Sequence, residues 1–163
     1  MEGESAVCSS RRSTVAEKLA EAGLEIPTPP QALGLYLPAC RTGSLVFTSG
    51  QLPLVGGTLL TSGLVGAEVD VDTAVACARQ AALNALAAAA TVCDLDDVVG
   101  VVKVVGYVAS AAGFTAQPAV INGASEVLVA AFGDAGRHAR EAVGVARLPL
   151  DSPVEVSVVL DVG

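Results

Sequence analysis

The sequence predicts an α+β fold in which two amphipathic helices cover one face of a mostly antiparallel β-sheet, with a short helix leading the chain. Two helical apolar patterns support this, one over 72–91 and one over 118–132, together with β-branched runs on either side of them. The element order after the leading helix is β-β-β-α-β-α-β-β. With 163 residues the chain has the size of one domain, and residues 13–163 are predicted to form it.

The N-terminal region divides into a tail and a helix. Residues 1–12 are small, polar and charged, which predicts a disordered tail. Thr14 and Glu17 have capping-box spacing, so Val15–Ala22 is predicted as the short helix and Gly23 as its stop. The tail lacks the apolar core of a secretory signal, so the cytoplasm is the expected compartment, with organellar targeting left open.

Three short strands are predicted next. Leu35–Cys40 and Ser44–Gln51 are apolar and β-prone, and a tight turn at 41–43 joins them. The pair Gly56-Gly57 marks another turn, and Thr58–Thr61 is predicted as the third strand.

The clearest helix is predicted over Asp72–Thr91, with Asp72 as its N-cap. At about 100° per residue one face is apolar. It consists of Val75, Ala78, Ala82, Ala85, Leu86 and Ala89. The opposite face is polar and carries Thr73, Gln80, Asn84 and Thr91.

The second half of the chain is predicted as strand, helix and two strands. The run Val98–Ser110 is almost continuously apolar, which is typical of a strand buried on both faces. The second helix is Pro118–Phe132, with Val120, Ala124, Val127, Leu128 and Ala131 facing inward. The last strands are Ala142–Arg147 and Val154–Leu160. Because two helices cover only one sheet face, the other Val-rich face is expected to be covered by self-association.

Composition argues against several classes of function. The net charge is −8 and the nine basic residues are scattered, which disfavours nucleic acid as a partner. No apolar run reaches the roughly 18 residues of a membrane helix. The four cysteines form no Cys-x-x-Cys pair and have no histidine at ligand spacing, so no metal and no disulfide are expected. No phosphate-binding loop or dinucleotide fingerprint occurs, and no cofactor is predicted.

Two charged residues are candidates for chemistry. Arg140, predicted at a loop-to-strand junction, has a planar fork that can bind a carboxylate, although most arginines are solvated surface residues. Glu155 lies in an apolar strand, where it positions a water or simply faces outward. The single histidine, His138, has no partners for a catalytic triad and is interpreted as a loop residue.

Three segments of the sequence resemble the RidA/YjgF family, which is also known by the endoribonuclease L-PSP designation. They are LGLYLPACRTGSLVFTSGQLP, VINGASEVLVAAFG and AREAVGVARLPLDSPVEVSVVL, and the resemblance runs from Ala32 to Leu160. It implies a chorismate-mutase-like fold and a homotrimer with three clefts between subunits. It also implies hydrolytic deamination, without a cofactor, of reactive enamines and imines such as 2-aminoacrylate to 2-keto acids and ammonia.

The resemblance also assigns roles to individual residues. Arg140 is expected to bind the substrate carboxylate, and Glu155 to orient the attacking water. The pocket is expected to be shaped by Tyr36, Ser49, Gly50, Asn122 and Ala142.

Departures from the family pattern place the chain in a divergent branch. His138 stands where the family often has proline, and Glu141 and Ala142 follow the arginine where Ser or Thr and then Cys or Thr are common. Glu141 could pair with Arg140 and compete with a carboxylate substrate, whereas Ala142 keeps its backbone donor. Two other functions remain open: a non-enzymatic trimer that binds small carboxylates or acts as a chaperone, and an endoribonuclease or translation inhibitor. The acidic composition and the lack of a histidine base argue against the last.

Overall fold

The computed structural model describes residues 13–29 and 34–163; the predicted tail over 1–12 lies outside these ranges. The leading helix, α1 (Val15–Glu21), begins with the predicted capping box. The Thr14 backbone N–H donates to Glu17 Oε2 at 2.9 Å, and the Glu17 backbone N–H donates to Thr14 Oγ1 at 3.2 Å. The prediction of this helix is therefore confirmed to within one residue at its C-terminal end.

The described residues form seven strands and two longer helices. In chain order they are β1 (Ala39–Thr42), β2 (Leu45–Thr48), β3 (Leu54–Val55), β4 (Thr58–Leu59), α2 (Val71–Ala89), β5 (Gly100–Ala109), α3 (Gln117–Phe132), β6 (Ala139–Val145) and β7 (Val154–Asp161). The main sheet has the order β1-β2-β7-β5-β6. Every neighbouring pair is antiparallel except β5–β6, which α3 connects as a parallel crossover. The predicted α+β class and its mostly antiparallel sheet are confirmed.

The first predicted strand, Leu35–Cys40, is wrong in its position. Strand β1 begins at Ala39, and the preceding Leu35 and Leu37 are 110% and 67% exposed. The sequence Leu-Tyr-Leu is β-prone, but strand β2 is too short to pair with it, and pairing decides where a strand begins. The third predicted strand does form as β4, in a separate hairpin with β3 rather than in the main sheet. The β3–β4 turn is Gly56-Gly57, whose φ angles of +57° and +84° explain both glycines.

Helix α2 begins earlier than predicted. Its N-cap is Asp70, whose side chain accepts from the Thr73 backbone N–H at 2.7 Å, so the assignment of the cap to Asp72 was wrong. Asn84 lies on the predicted polar face of α2, but this face is not open to water at that position. Asn84 is buried, and its Nδ2 donates to the carbonyls of Leu52 and Leu54 at 2.8 and 3.0 Å. The β3–β4 hairpin covers this side of α2, so the amide satisfies backbone groups that water cannot reach.

The two faces of the main sheet differ in what covers them. The face against α2 and α3, here called the helix face, carries the buried valines of β5 and β7 and joins the inward side of α3 in one core. All five residues predicted to face inward from α3 are buried. The opposite face, here called the open face, carries Phe47, Tyr107 and Val143 at 38, 37 and 43% exposure. The prediction that β5 is buried on both faces is therefore wrong for the single chain.

The described ranges also bear on membranes, metals and thiols. They contain no helix long and apolar enough to cross a membrane. No group of three or more His, Cys, Asp or Glu residues in residues 13–29 and 34–163 is placed to hold a metal ion. Three cysteines are free thiols, namely Cys40, Cys77 and Cys93. Burial raises the pKa of Cys77 to about 11, which keeps this thiol protonated and unreactive at neutral pH.

Candidate functional site

Arg140 is the second residue of β6, the edge strand of the main sheet, and its side chain lies on the helix face beside α3. One terminal nitrogen, Nη1, donates to Asn122 Oδ1 at 2.8 Å and to Ser125 Oγ at 3.1 Å. These two bonds use both hydrogens of Nη1. No acceptor among the described residues engages Nε or Nη2. The guanidinium therefore presents an unoccupied Nε/Nη2 edge, whose parallel N–H groups match the two oxygens of a carboxylate.

Asn122 adds a donor to the same place. Since a guanidinium only donates, the Asn122 oxygen must be the atom that faces Arg140, and its amide Nδ2 is left for another acceptor. Asn122 is exposed on α3, three residues before Ser125. The site at Arg140 is accordingly rich in donors, which favours an anionic ligand.

Two residues of this site have functional contacts that sequence reasoning missed. Ser125 Oγ lies 3.0 Å from His138 Nε2, and His138 Nδ1 lies 2.6 Å from the Gly136 carbonyl oxygen. His138 lies outside the strand, as predicted, and both of its ring nitrogens have hydrogen-bond partners. A signal existed in the sequence: Ser125 is three residues from Asn122 on a predicted helix, and His138 is two residues from Arg140 on an extended segment, so each pair shares one side.

Ala142 follows Arg140 on the helix face of β6. It pairs with Gly106 of β5, and its half-buried methyl group packs against the core. A larger residue at this position would extend from the strand toward α3.

Glu155 lies on the open face, in β7, directly opposite Tyr107 of β5. It is half-buried, and burial raises the pKa of its carboxyl group, with no hydrogen bond from a described residue acting against that effect. Such a carboxylate is a stronger proton acceptor than one in water. Tyr107 was not predicted as a site residue, although strict alternation along β5 from the buried Val104 places it on this face.

Gly50 is in direct contact with Glu155. A Cβ atom built on Gly50 would lie 1.8 Å from Glu155 Oε1 and 2.7 Å from its Cδ, so only glycine allows the carboxylate to take this position. The backbone of Gln51 fixes the approach, because it exchanges two hydrogen bonds with Val156 at 2.8 and 3.0 Å. The predicted site residues Gly50 and Glu155 therefore lie together.

Ser49 is bonded to the segment that precedes β1 and carries Tyr36. The Ser49 hydroxyl donates to the Leu37 carbonyl at 2.6 Å, and its backbone N–H donates to the Pro38 carbonyl at 2.9 Å. These bonds hold the segment that carries Tyr36, whose side chain is 51% exposed. Ser49 thus acts on the backbone of that segment, and no described contact joins Tyr36 to Glu155.

Arg140 and Glu155 do not meet within one chain. They lie on strands separated by β5 and point to opposite faces, since Arg140 pairs with the buried Val104 and Glu155 with the exposed Tyr107. The expectation that Glu141 pairs with Arg140 is also wrong. Glu141 accepts from Lys103 Nζ at 2.6 Å, because neighbouring residues of a strand point to opposite faces.

Two cavities in the structure are remote from these residues. They measure about 340 and 460 Å³ and are lined by α1 and by the 3₁₀ turn at Leu95–Asp97. None of the predicted site residues lines either of them. The candidate site therefore lies outside these two cavities.

Comparison with known proteins identifies the family. Residues 16–161 match the model described as "YjgF/chorismate_mutase-like, putative endoribonuclease", and the chain belongs to this family. Protein TCP17 of Trypanosoma cruzi is 39% identical over 151 residues, which cover 90% of this chain and 93% of that protein.

Solved structures show where in the family the chain stands. Protein Atu1372 of Agrobacterium tumefaciens, whose function is unknown, is 39% identical, with 92% of this chain and 94% of that chain covered and a TM-score of 0.84. Escherichia coli TdcF, solved with bound serine, is 27% identical, with 82% and 92% covered and a TM-score of 0.59. The backbone of this protein is thus much nearer to Atu1372 than to TdcF.

Proposed function

We propose that the protein hydrolyses reactive enamines and imines of the 2-aminoacrylate type to 2-keto acids and ammonia, in clefts between the subunits of a homotrimer. The observation that carries this proposal is the unoccupied Nε/Nη2 edge of Arg140, held in place by Asn122 and Ser125. A planar fork of this kind recognises the carboxylate that such substrates share.

The ligand bound by a relative supports a substrate with three carbons and a carboxylate. TdcF of E. coli holds serine, a three-carbon amino acid. The imine derived from 2-aminoacrylate has the same three carbons and the same carboxylate. Asn122 Nδ2, Ala142 and Tyr36 are proposed to shape the space beside the bound carboxylate.

Glu155 is proposed to serve the hydrolytic step. The enamine first takes a proton from solvent at its terminal carbon and becomes the iminium ion. Water then attacks C2 while the Glu155 carboxylate accepts one of its protons, which gives the carbinolamine. Glu155 returns this proton to the amino nitrogen, ammonia leaves, and the hydroxyl group releases its proton to solvent as the keto group forms. The raised pKa of Glu155 suits it both to accept and to return this proton.

The positions of the two charged residues support the proposed assembly. Since Arg140 and Glu155 lie on opposite faces of one sheet, one ligand can contact both only if they come from different subunits. The exposed Phe47, Tyr107 and Val143 of the open face favour such an assembly, because apolar side chains of this size gain free energy when covered. Gly50 and Ser49 would then enter the cleft together with Glu155.

The test measures binding and turnover on matched variants. Pyruvate binding is followed by calorimetry, and hydrolysis of 2-aminoacrylate generated by a dehydratase is followed in parallel. Arg140→Ala should weaken pyruvate binding by about 1.5–3 kcal/mol, and Arg140→Lys should restore little because an ammonium group has no fork. Glu155→Gln should keep pyruvate binding and lower turnover by about 10²–10⁴-fold.

Two neighbouring variants serve as controls. Arg137→Ala removes a charge three residues from Arg140, from an arginine side chain that is 79% exposed. Glu141→Gln removes a carboxylate that pairs with Lys103. Both should bind pyruvate within about twofold of the wild type, because exposed charges contribute little. Wild-type turnover in Glu155→Gln would remove Glu155 from the hydrolytic step. No turnover above the uncatalysed rate in the wild type, with binding lost in Arg140→Ala, would instead indicate a protein that only binds carboxylates.

A further inference from the structure

We propose that His138 is a positioning residue that orients the guanidinium of Arg140 through the hydroxyl of Ser125. The inference deepens the proposed function, on which it rests for the identity of the ligand. Its geometry stands independently in three contacts. These are Arg140 Nη1 to Ser125 Oγ at 3.1 Å, Ser125 Oγ to His138 Nε2 at 3.0 Å and His138 Nδ1 to the Gly136 oxygen at 2.6 Å.

The direction of each hydrogen bond is fixed by its ends. The Gly136 carbonyl can only accept, so His138 Nδ1 carries a hydrogen. In the neutral ring Nε2 then has a lone pair and accepts from the Ser125 hydroxyl. At the other end Arg140 can only donate, so the Ser125 oxygen accepts from Nη1. All protons are therefore ordered in one direction, from the guanidinium to the backbone of the turn.

This order has a consequence for the free edge of Arg140. A single bond to Asn122 leaves the guanidinium able to swing about that contact, because the arginine side chain has several rotatable bonds. The second bond, to Ser125, uses the other Nη1 hydrogen and fixes the plane of the group. Fixing the plane also fixes the direction of Nε and Nη2, so less conformational freedom is lost when a carboxylate binds.

A charged imidazole would not support the same arrangement. Protonated Nε2 becomes a donor to Ser125 Oγ, which then receives two donors and must turn its own hydrogen elsewhere. It would also add a second positive charge to the contacts between Arg140, Ser125 and His138, whereas the adjacent Arg137 is itself paired with Asp134 at 3.4 Å. The Lys103–Glu141 ion pair lies on the open face and does not contact the ring. The neutral Nδ1–H tautomer is thus the form that positions Arg140.

The first experiment reads the tautomer directly and needs no substrate. The chain contains one histidine, so the imidazole signals in a two-bond ¹H–¹⁵N correlation spectrum belong to His138. In the full-length wild type at neutral pH we expect a protonated Nδ1 and a bare Nε2. Ser125→Ala should shift the Nε2 resonance because its donor is lost. A protonated Nε2, or averaging between both tautomers as in free imidazole, would overturn the proposal.

The second experiment measures pyruvate affinity. Ser125→Ala and His138→Ala should each weaken binding by about three- to tenfold, the effect expected when a side chain loses its preorganisation. His138→Gln should bind like the wild type, since its amide oxygen can accept from Ser125. In an Arg140→Ala background, Ser125→Ala should add no further loss, which distinguishes positioning of the arginine from a general structural role.

Thr91→Ala is the matched control. This hydroxyl, at the C-terminal end of α2, donates to the Ala88 carbonyl at 2.7 Å, and its loss should leave affinity unchanged. Wild-type affinity in Ser125→Ala and His138→Ala, or failure of His138→Gln to restore binding, would refute the inference. If the wild type itself binds no pyruvate, the proposed function fails, and the tautomer spectrum alone decides on the positioning role.

Discussion

The two faces of the main sheet present opposite situations around their charged residues. On the helix face, Arg140 is held by hydrogen bonds to two α3 side chains, and a third residue fixes one of them. On the open face, Glu155 is constrained by the close approach of Gly50 and lies opposite the partly exposed Tyr107. Arg140 is thus oriented by hydrogen bonds within the chain, whereas Glu155 is only half-buried and has no hydrogen bond from a described residue.

This difference fits the roles proposed for Arg140 and Glu155. A binding group gains from being oriented before the ligand arrives, and α3 provides that orientation in a single subunit. A proton acceptor gains from burial, and the open face can provide more burial only when another subunit covers it. The same sheet can therefore contribute to two different clefts, one on each face.

Mixing two inactive variants gives the largest expected effect. Arg140→Ala and Glu155→Gln should each lose most turnover, but subunits unfolded and refolded together should regain it. With random assembly of equal amounts into trimers, about a quarter of the clefts receive both wild-type residues. The measurement is turnover of the refolded mixture against each variant refolded alone. No recovery from assembled mixed trimers, or a protein that is monomeric by light scattering at micromolar concentration, would refute the proposal that Arg140 and Glu155 of different subunits meet in one cleft.

Two glycine substitutions should sharpen the comparison, since the same added methyl group meets different neighbours. At Gly123 on α3 it would lie 2.3 Å from the Val75 backbone oxygen, which cannot move without separating α2 from α3. Gly123→Ala should lower the free energy of unfolding by about 2 kcal/mol, and the melting temperature by about 4–8 °C. At Gly50 the methyl group meets a flexible carboxylate, so Gly50→Ala should melt like the wild type yet lose turnover as Glu155→Gln does.

Thermal melts of the two glycine variants, run beside turnover assays, check both expectations. A strongly destabilised Gly50→Ala would show that the open face is as rigid as the helix face.

The smallest expected effect is the pH dependence of stability at Glu155. Burial raises the pKa of this carboxyl in the folded protein, so its ionisation opposes folding. The neutral Glu155 side chain costs the folded protein nothing, so its contribution to stability is fully present below the pKa that it has in the unfolded chain. This contribution is lost as the pH rises through the higher pKa that it has in the folded protein. Glu155→Gln should therefore be more stable than the wild type at neutral pH and melt at a higher temperature. The gain in the free energy of unfolding should be less than about 1 kcal/mol, because water still screens the group. The difference should vanish in acid; a variant that melts lower at neutral pH would mean that the carboxylate has a stabilising partner.

Much of the local structure could be predicted from residue patterns. The capping box at Thr14 located α1, and the apolar spacing of α3 identified its buried side, because both depend on neighbours within a few residues. Asn84 could not be assigned in the same way. Its burial depends on a hairpin that begins thirty residues earlier in the chain and covers this side of α2.

The candidate site divides along the same line. The sequence by itself determined the fold class, the family resemblance and the candidates Arg140 and Glu155, since residue type and local spacing are enough for these. Only the tertiary structure decided that the two lie on opposite faces, that Glu141 pairs with Lys103 and that Ser125 and His138 support the arginine. The physical reason is that strand order, register and helix packing determine which distant side chains meet, and no local pattern in the sequence specifies them.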